Sequence, residues 1–313
     1  MFEIKRYEPS HQQAWNDFVA RSKNGTFLFD RRFMDYHSDR FADSSLMILR
    51  KGRIYALLPA NRVGDTLHSH QGLTYGGLLT DAKATAEGVM EAFGALNTWL
   101  RNEGVRRVTY KAMPWIYHRL PAEEDLYALT QVCHASLLTR EISSTILLQQ
   151  PLCFTESRKS GLRKALREGL YMEESGDLAA FWQMLDDNLA SRHHTHPVHS
   201  LDELRLLQGR FPQQIHLYLI YNKEKEPVGG TWVFDTGQVV HTQYIASTEE
   251  GKAHGALDLL FDELINRRYR EGIYLDFGKS TEEGGRVLNE HLIFQKEGFG
   301  GRGVCYDTYE WEP

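Results

Sequence analysis

The sequence predicts an α/β protein built from two halves that follow one plan. Three observations predict it. The order hairpin, helix, strand, helix, strand occurs twice in the 313 residues. Each hairpin carries the same Gly-x-x-x-His spacing, Gly64 with His68 and Gly237 with His241. The first helix of each half ends at a Glu-Gly pair, Glu103-Gly104 and Glu271-Gly272, where a glycine closes a helix well. Sheet and helices alternating in this way give a mixed sheet flanked by helices, with a boundary expected near residue 150.

In the first half, residues 54–69 hold two strand-like runs around a turn with Asn61 and Gly64. Residues 68–79 are glycine-rich and carry Tyr75. Gly76-Gly77 there lets the backbone approach a ligand, or simply turns the chain between strands. Val89, Ala92, Phe93, Leu96 and Leu100 recur at helical spacing, and strands follow at 105–113 and 144–149 with a helix between them. The second half opens on a basic helix, with Arg158, Lys159, Arg163, Lys164 and Arg167 opposite Leu162, Ala165 and Leu166. A hairpin at 226–242 turns at Asp235 and Gly237. Leu257, Leu260, Phe261, Leu264 and Ile265 then lie at helical spacing, and a strand follows at 273–278. In FQKEGFGGRG (294–303) a helix stops at Gly298, and the chain turns into a last strand at 304–311 with Lys296 facing a cleft.

Composition narrows the function classes. Apolar residues make up 42%, charged residues 25%, and the net charge is −6. That balance excludes a protein that grips nucleic acid over its whole surface, while a local basic groove stays compatible with it. Cys133, Cys153 and Cys305 are odd in number and scattered, which argues against a disulfide framework or zinc site and for buried, inert thiols. No run of about 18 apolar residues occurs, and no apolar stretch follows the charges of MFEIKRYEPS. No membrane span or leader is expected, and the cytoplasm is the expected location.

Residues 157–175, IYLDFGKS (273–280) and FQKEGFGG (294–301) resemble a GNAT acyltransferase domain. The whole chain resembles the Fem-type peptidyltransferases, which carry two such domains in tandem. Lys296, Phe299 and Gly300 match the closing Fem-type motif, with Gln295 where that motif has phenylalanine. The resemblance implies two tandem GNAT-like domains, 1–150 and 151–313, the second being catalytic. It implies acyl transfer to an amine. GNAT members take the acyl group from acyl-CoA. Fem-type members take an amino acid from aminoacyl-tRNA and add it to a peptidoglycan precursor.

Acyl transfer needs a neutral amine, donors for the oxyanion and a proton or cation for the leaving group. Lys296 is the candidate to steady the tetrahedral intermediate or hold a phosphate. Asp276 is the candidate proton acceptor, and Tyr244 and Tyr306 are candidate acids for the leaving group. Donor phosphates suit a helix N-terminus. The GNAT turn [Gln/Arg]-x-x-Gly-x-[Gly/Ala] falls here on residues 248–253, where Gly251 and Ala253 fit and Thr248 does not. Lys252 offsets two glutamates, and Gly255 completes this cofactor-binding stretch. Tyr75, Arg163, Arg167, His193, His196 and His199 are candidate substrate-binding residues, one of the histidines serving alternatively as a base. The histidines show loose spacing, no interleaved acid and a proline at 197, so no metal is expected.

The expected activity is N-acyl transfer from acyl-CoA to a primary amine on a small molecule or peptide. The alternatives are aminoacyl-tRNA-dependent transfer to a cell-wall precursor, and a non-catalytic ligand-binding protein that kept the fold.

Overall fold

A computed structural model describes residues 1–313 except His194 and the side chains of Arg192 and His193. The chain forms two compact units. Met1–Ile142, Thr281–Val287 and Cys305–Pro313 make the first; Ser143–Ser280 and Leu288–Val304 make the second. The sequence suggests a division in chain order near 150, whereas these units are discontinuous in the chain.

The first unit contains β1 (Phe2–Arg6), α1 (Gln12–Arg21), α2 (Arg31–Met34), β2 (Leu46–Arg50), β3 (Arg53–Leu58), β4 (Asn61–Val63), β5 (Thr66–His68), β6 (Leu79–Thr80), α3 (Ala86–Asn102), β7 (Arg107–Lys111), α4 (Glu124–Gln131) and the start of β8 (Ser136–Leu147). The predicted hairpin at 54–69 is three short strands, with Gly64 in the β4–β5 turn and Asn61 opening β4. Helix α3 shows why its spacing was legible. Thr85 caps it by accepting from Gly88 N, its five periodic apolar residues are all buried, and Gly104 at φ 69° closes it.

The second unit contains α5 (Glu156–Glu168), β9 (Tyr171–Glu174), α6 (Leu178–His193), α7 (Leu201–Arg210), β10 (Ile215–Tyr221), β11 (Pro227–Asp235), β12 (Val239–Ser247), α8 (Glu249–His254), α9 (Ala256–Glu263) and β13 (Tyr274–Lys279). Beyond lie β14 (Thr281–Glu282), β15 (Val287–Leu288), α10 (Glu290–Gly298) and β16 (Arg302–Trp311). The sheet of this unit runs β8-β13-β12-β11-β10-β9, with β8 contributing its end from Ser143. The pairs are antiparallel except β12 with β13, which is parallel. Its core gathers Val240, Leu260, Phe261, Leu275 and Phe299.

Several expectations need correction. Helix α9 ends at Glu263, and a π-helical turn, Leu264–Arg268, carries the chain on before Gly272. Leu166, placed on the apolar side of α5, is 55% exposed, and Ala165 holds that face. The last strand serves the first unit, where residues 308–311 pair with β7 and Trp311 packs against Phe93 and Tyr110. Cys133 is buried, but Cys153 and Cys305 are exposed. Gly298-Phe299-Gly300-Gly301-Arg302-Gly303 spells a G-x-G-x-x-G run, yet it follows a helix and leads into a strand. That is the reverse of the strand-to-helix order that a dinucleotide cradle requires.

Candidate active site

The site begins where two parallel strands part. β12 and β13 pair through Val239–Tyr274, Val240–Leu275 and His241–Asp276, and the ladder ends there. Both strands are distorted at this point. On β12 a bulge inserts Gln243 between residues paired with Val233 and Trp232, which bends the strand. On β13 the register to β8 breaks after Asp276, and Gly278 takes φ 75°. A Cβ at Gly278 would stand 3.3 Å from His241 Cε1 in a conformation that side chains rarely adopt, so glycine serves there.

A cavity of about 220 Å³ opens in the wedge. Ile245, Ala246 and Ser247 of β12 line one side, and Phe277 of β13 lines another. Phe261 and Phe299 add aromatic walls, their rings 4.9 Å apart. An adjoining cleft of about 340 Å³ shares Asn188, Ser247 and Lys252 with the cavity and extends past Thr248 and Glu249. Asn188 is held in place by donating to Met184 O and Ser247 O.

Lys296 reaches this cavity from the last turn of α10 and is 5% exposed. Its Nζ donates to Gly278 O at 2.8 Å and Lys279 O at 2.9 Å, two carbonyls that the bend in β13 turns towards it. An ammonium has three protons, so one remains for a ligand. Burial lowers the pKa to about 8, and the nearby charge of Asp276 opposes that shift.

Asp276 is fully buried. It accepts from Ser143 Oγ and, at 2.9 Å, from Thr145 Oγ1, and its Oδ2 lies 2.9 Å from His241 Nδ1. Asp276, expected as the proton acceptor, is thus engaged by two hydroxyls and an imidazole, and its charge acts on Lys296. The sequence does not mark His241 as a site residue. Its spacing to Gly237 was visible, but its partnership with Asp276 depends on the parallel register of β12 and β13, which local pattern does not encode.

The donor turn differs from the expectation. Thr248 caps α8, its Oγ1 accepting from Gly251 N at 3.0 Å, so that N–H already has a partner. A Cβ on Gly251 would fall 1.9 Å from Val228 O, and one on Gly255 would fall 2.3 Å from Gly161 O. Both glycines allow backbones to pack closely. Lys252 is in an ion pair with Glu249, while Asn222 Nδ2 donates to Glu250. Ala253 is exposed.

Other candidates are scattered. Tyr244 stacks on Trp232, and its hydroxyl meets His199 Nδ1 at 2.5 Å; burial raises its pKa to about 12. Tyr306 lies in the first unit, where it is buried against Tyr117 with their hydroxyls 2.9 Å apart. Tyr75, expected to bind substrate, is packed in the core at 2% exposed and donates to Thr26 Oγ1. Arg163 and Arg167 are exposed on α5, Arg163 lying 3.9 Å from Glu156. His196 pairs with Asp186 at 2.6 Å, and the side chain of His193 lies outside the described residues.

Residues 156–284 match the family model described as an acetyltransferase (GNAT) domain. Among solved structures, FemX superposes with a TM-score of 0.68 at 11% identity, covering 99% of this chain and 97% of that one. L-PGS from Bacillus licheniformis gives 0.58 at 13% identity, over 97% and 92%. A tandem GNAT protein from the clavulanic acid biosynthesis pathway gives 0.53 at 12% identity, over 100% and 98%. No curated protein sequence matches this chain. Domain match and neighbours together define the fold as two GNAT-like domains in one chain, each an α/β arrangement of mixed sheet and helices. Among the described residues, no helix is long and apolar enough to cross a membrane.

Proposed function

We propose that the second unit is the catalytic one and transfers an acyl group from acyl-CoA to a primary amine of a small molecule or peptide. The observation that carries this reading is the wedge between β12 and β13, with a buried lysine at its wall. The open side of β12 offers backbone groups to the amides of an extended pantetheine arm, which would add to the strand edge as a short strand does. The thioester carbonyl then lies beside Lys296. The amine attacks the carbonyl carbon, the C–N bond forms, and the oxyanion is met by the remaining proton of the ammonium. As the C–S bond breaks, the thiolate takes up the proton that the amine releases. Asp276 and His241 hold their shape behind the reacting atoms. Exposed, unpaired Cys153 and Cys305 suit the reducing cytoplasm, where we place this reaction.

The tested quantity is thiol release from acetyl-CoA and longer acyl-CoA in the presence of a panel of primary amines. Amine-dependent release by the wild type should fall about a hundredfold or more in Lys296→Ala, as loss of one oxyanion donor typically does. Equal release by both proteins would remove Lys296 from the mechanism.

A specific observation favours a second reading. The first turn of α8 carries Glu249 and Glu250, and its cap already uses Gly251 N, so a pyrophosphate meets repulsion there. An aminoacyl-tRNA presents its ester without a pyrophosphate and avoids that turn. Stabilisation by aminoacyl-tRNA with none by acyl-CoA, measured by thermal unfolding, would select this donor. A saturating ligand at about 100 times its Kd contributes roughly 2.7 kcal/mol.

A further inference from the structure

The first unit contains a cleft of about 990 Å³ that the acyl-transfer reading does not use. Arg21 at the end of α1, Arg50, Lys51 and Arg53 around the β2–β3 turn, and Lys83 line it. Asp17 and Asp81 share the lining. Five cations against two carboxylates leave three positive charges on the walls of a chain whose net charge is −6.

These cations are weakly compensated. Arg21 Nε is 4.0 Å from Asp81, and Arg50 is 3.7 Å from the half-exposed Glu91. Among the described residues, no carboxylate forms an ion pair with Lys51, Arg53 or Lys83. The turn itself is frustrated. Arg50 and Arg53 stand directly opposite each other across β2 and β3, where like charges destabilise the pair. Lys51 and Gly52 both take positive φ, 52° and 72°. Such two-residue turns favour Asn or Asp before glycine, and a lysine adopts that conformation at a cost. The sequence thus concentrates three cations where both charge and backbone oppose it, and a bound anion would relieve the repulsion. Tyr55 and Ile54 give the cleft an apolar part, with the Arg50 guanidinium 5.9 Å from the Tyr55 ring centre.

We propose that this cleft binds a soluble small molecule carrying a diphosphate, of nucleotide size. The volume lies within the usual range for such ligands. A terminal phosphate contributes about −1.5 to −2 at neutral pH and its neighbour about −1 more, which matches the excess on the walls. Arginines supply forked donors for phosphate oxygens, and lysines supply point charges. The site is independent of the donor chemistry in the second unit.

The test is calorimetric titration of the full chain at low salt with ADP and inorganic pyrophosphate, with AMP for comparison. Sedimentation with phosphatidylglycerol vesicles separates a soluble phosphate from a lipid headgroup. The expected result is single-site binding of both diphosphates, tighter than AMP and weakened by salt. Arg53→Glu and Lys51→Glu should each weaken it at least tenfold, while Arg267→Glu in the second unit leaves it unchanged. All three side chains are exposed, and thermal unfolding checks the fold; Lys83→Glu replaces either hairpin variant that fails to fold. Absence of diphosphate binding, affinity indifferent to the hairpin reversals, or binding to vesicles alone would each overturn the proposal.

Discussion

Lys296 concentrates the residue-scale physics. It is a buried ammonium solvated by two backbone carbonyls, so its charged form is disfavoured and its pKa falls to about 8 from the usual 10.5. The sign follows. Between pH 8 and 10.5 the unfolded chain holds this proton and the folded chain has lost it, so this group's contribution makes stability rise with pH across that window. Replacing Lys296 with methionine removes the linkage. Between pH 7 and 10.5 the wild type should gain about 3 kcal/mol relative to Lys296→Met, read from urea unfolding at a series of pH values. A constant difference would mean that the lysine titrates normally. If the ammonium form meets the oxyanion, acyl transfer should in turn decline as pH rises through about 8. The sequence points to this lysine because it sits in the last turn of a helix that Gly298 closes, within the segment that resembles the Fem-type motif. It does not show the carbonyls of Gly278 and Lys279, which depend on a bend 17 to 18 residues away in the chain.

At the scale of elements, helices with clean apolar stripes and capped ends were legible and sheet partnerships were not. α3 follows its spacing because Thr85, five apolar positions and Gly104 all act within 20 residues. The wedge is different. It needs a bulge at Gln243, a broken register at Gly278 and a parallel pairing that stops at one residue pair. None of these leaves a local signature. The surroundings of a glycine are hidden for the same reason. Gly255, expected beside a cofactor, takes φ 77° where α9 starts and lies against the Gly161 backbone of α5. Gly255→Ala should therefore destabilise by ~2–4 kcal/mol, combining a left-handed alanine with overpacking. The melting temperature reads this directly, and a variant as stable as wild type that had lost donor affinity would restore the cofactor role.

At the scale of the whole molecule, chain order and structural membership diverge. The repeated plan along the sequence suggested two successive halves, and the tandem fold is there. Yet residues 305–313 complete the first unit, where Trp311 is 5% exposed and its Nε1 donates to Asn97 at 2.9 Å. A strand's amphipathic pattern marks which face is buried and does not say which sheet receives it. Trp311→Ala should cost ~3–5 kcal/mol, as emptying a large buried site does. In native-state hydrogen exchange, amides of α3 and β7 should lose protection before those of β11. Uniform loss through both units would contradict the membership described here.

The proposed reaction requires an acyl donor in the wedge between β12 and β13, beside Lys296. Hydrogen–deuterium exchange of the full chain with saturating acetyl-CoA, and separately with aminoacyl-tRNA, tests it without knowledge of the acceptor. New protection is expected in peptides covering 242–248 and 292–299 with one of the two donors. Protection confined to other segments, or none with either donor, would contradict it.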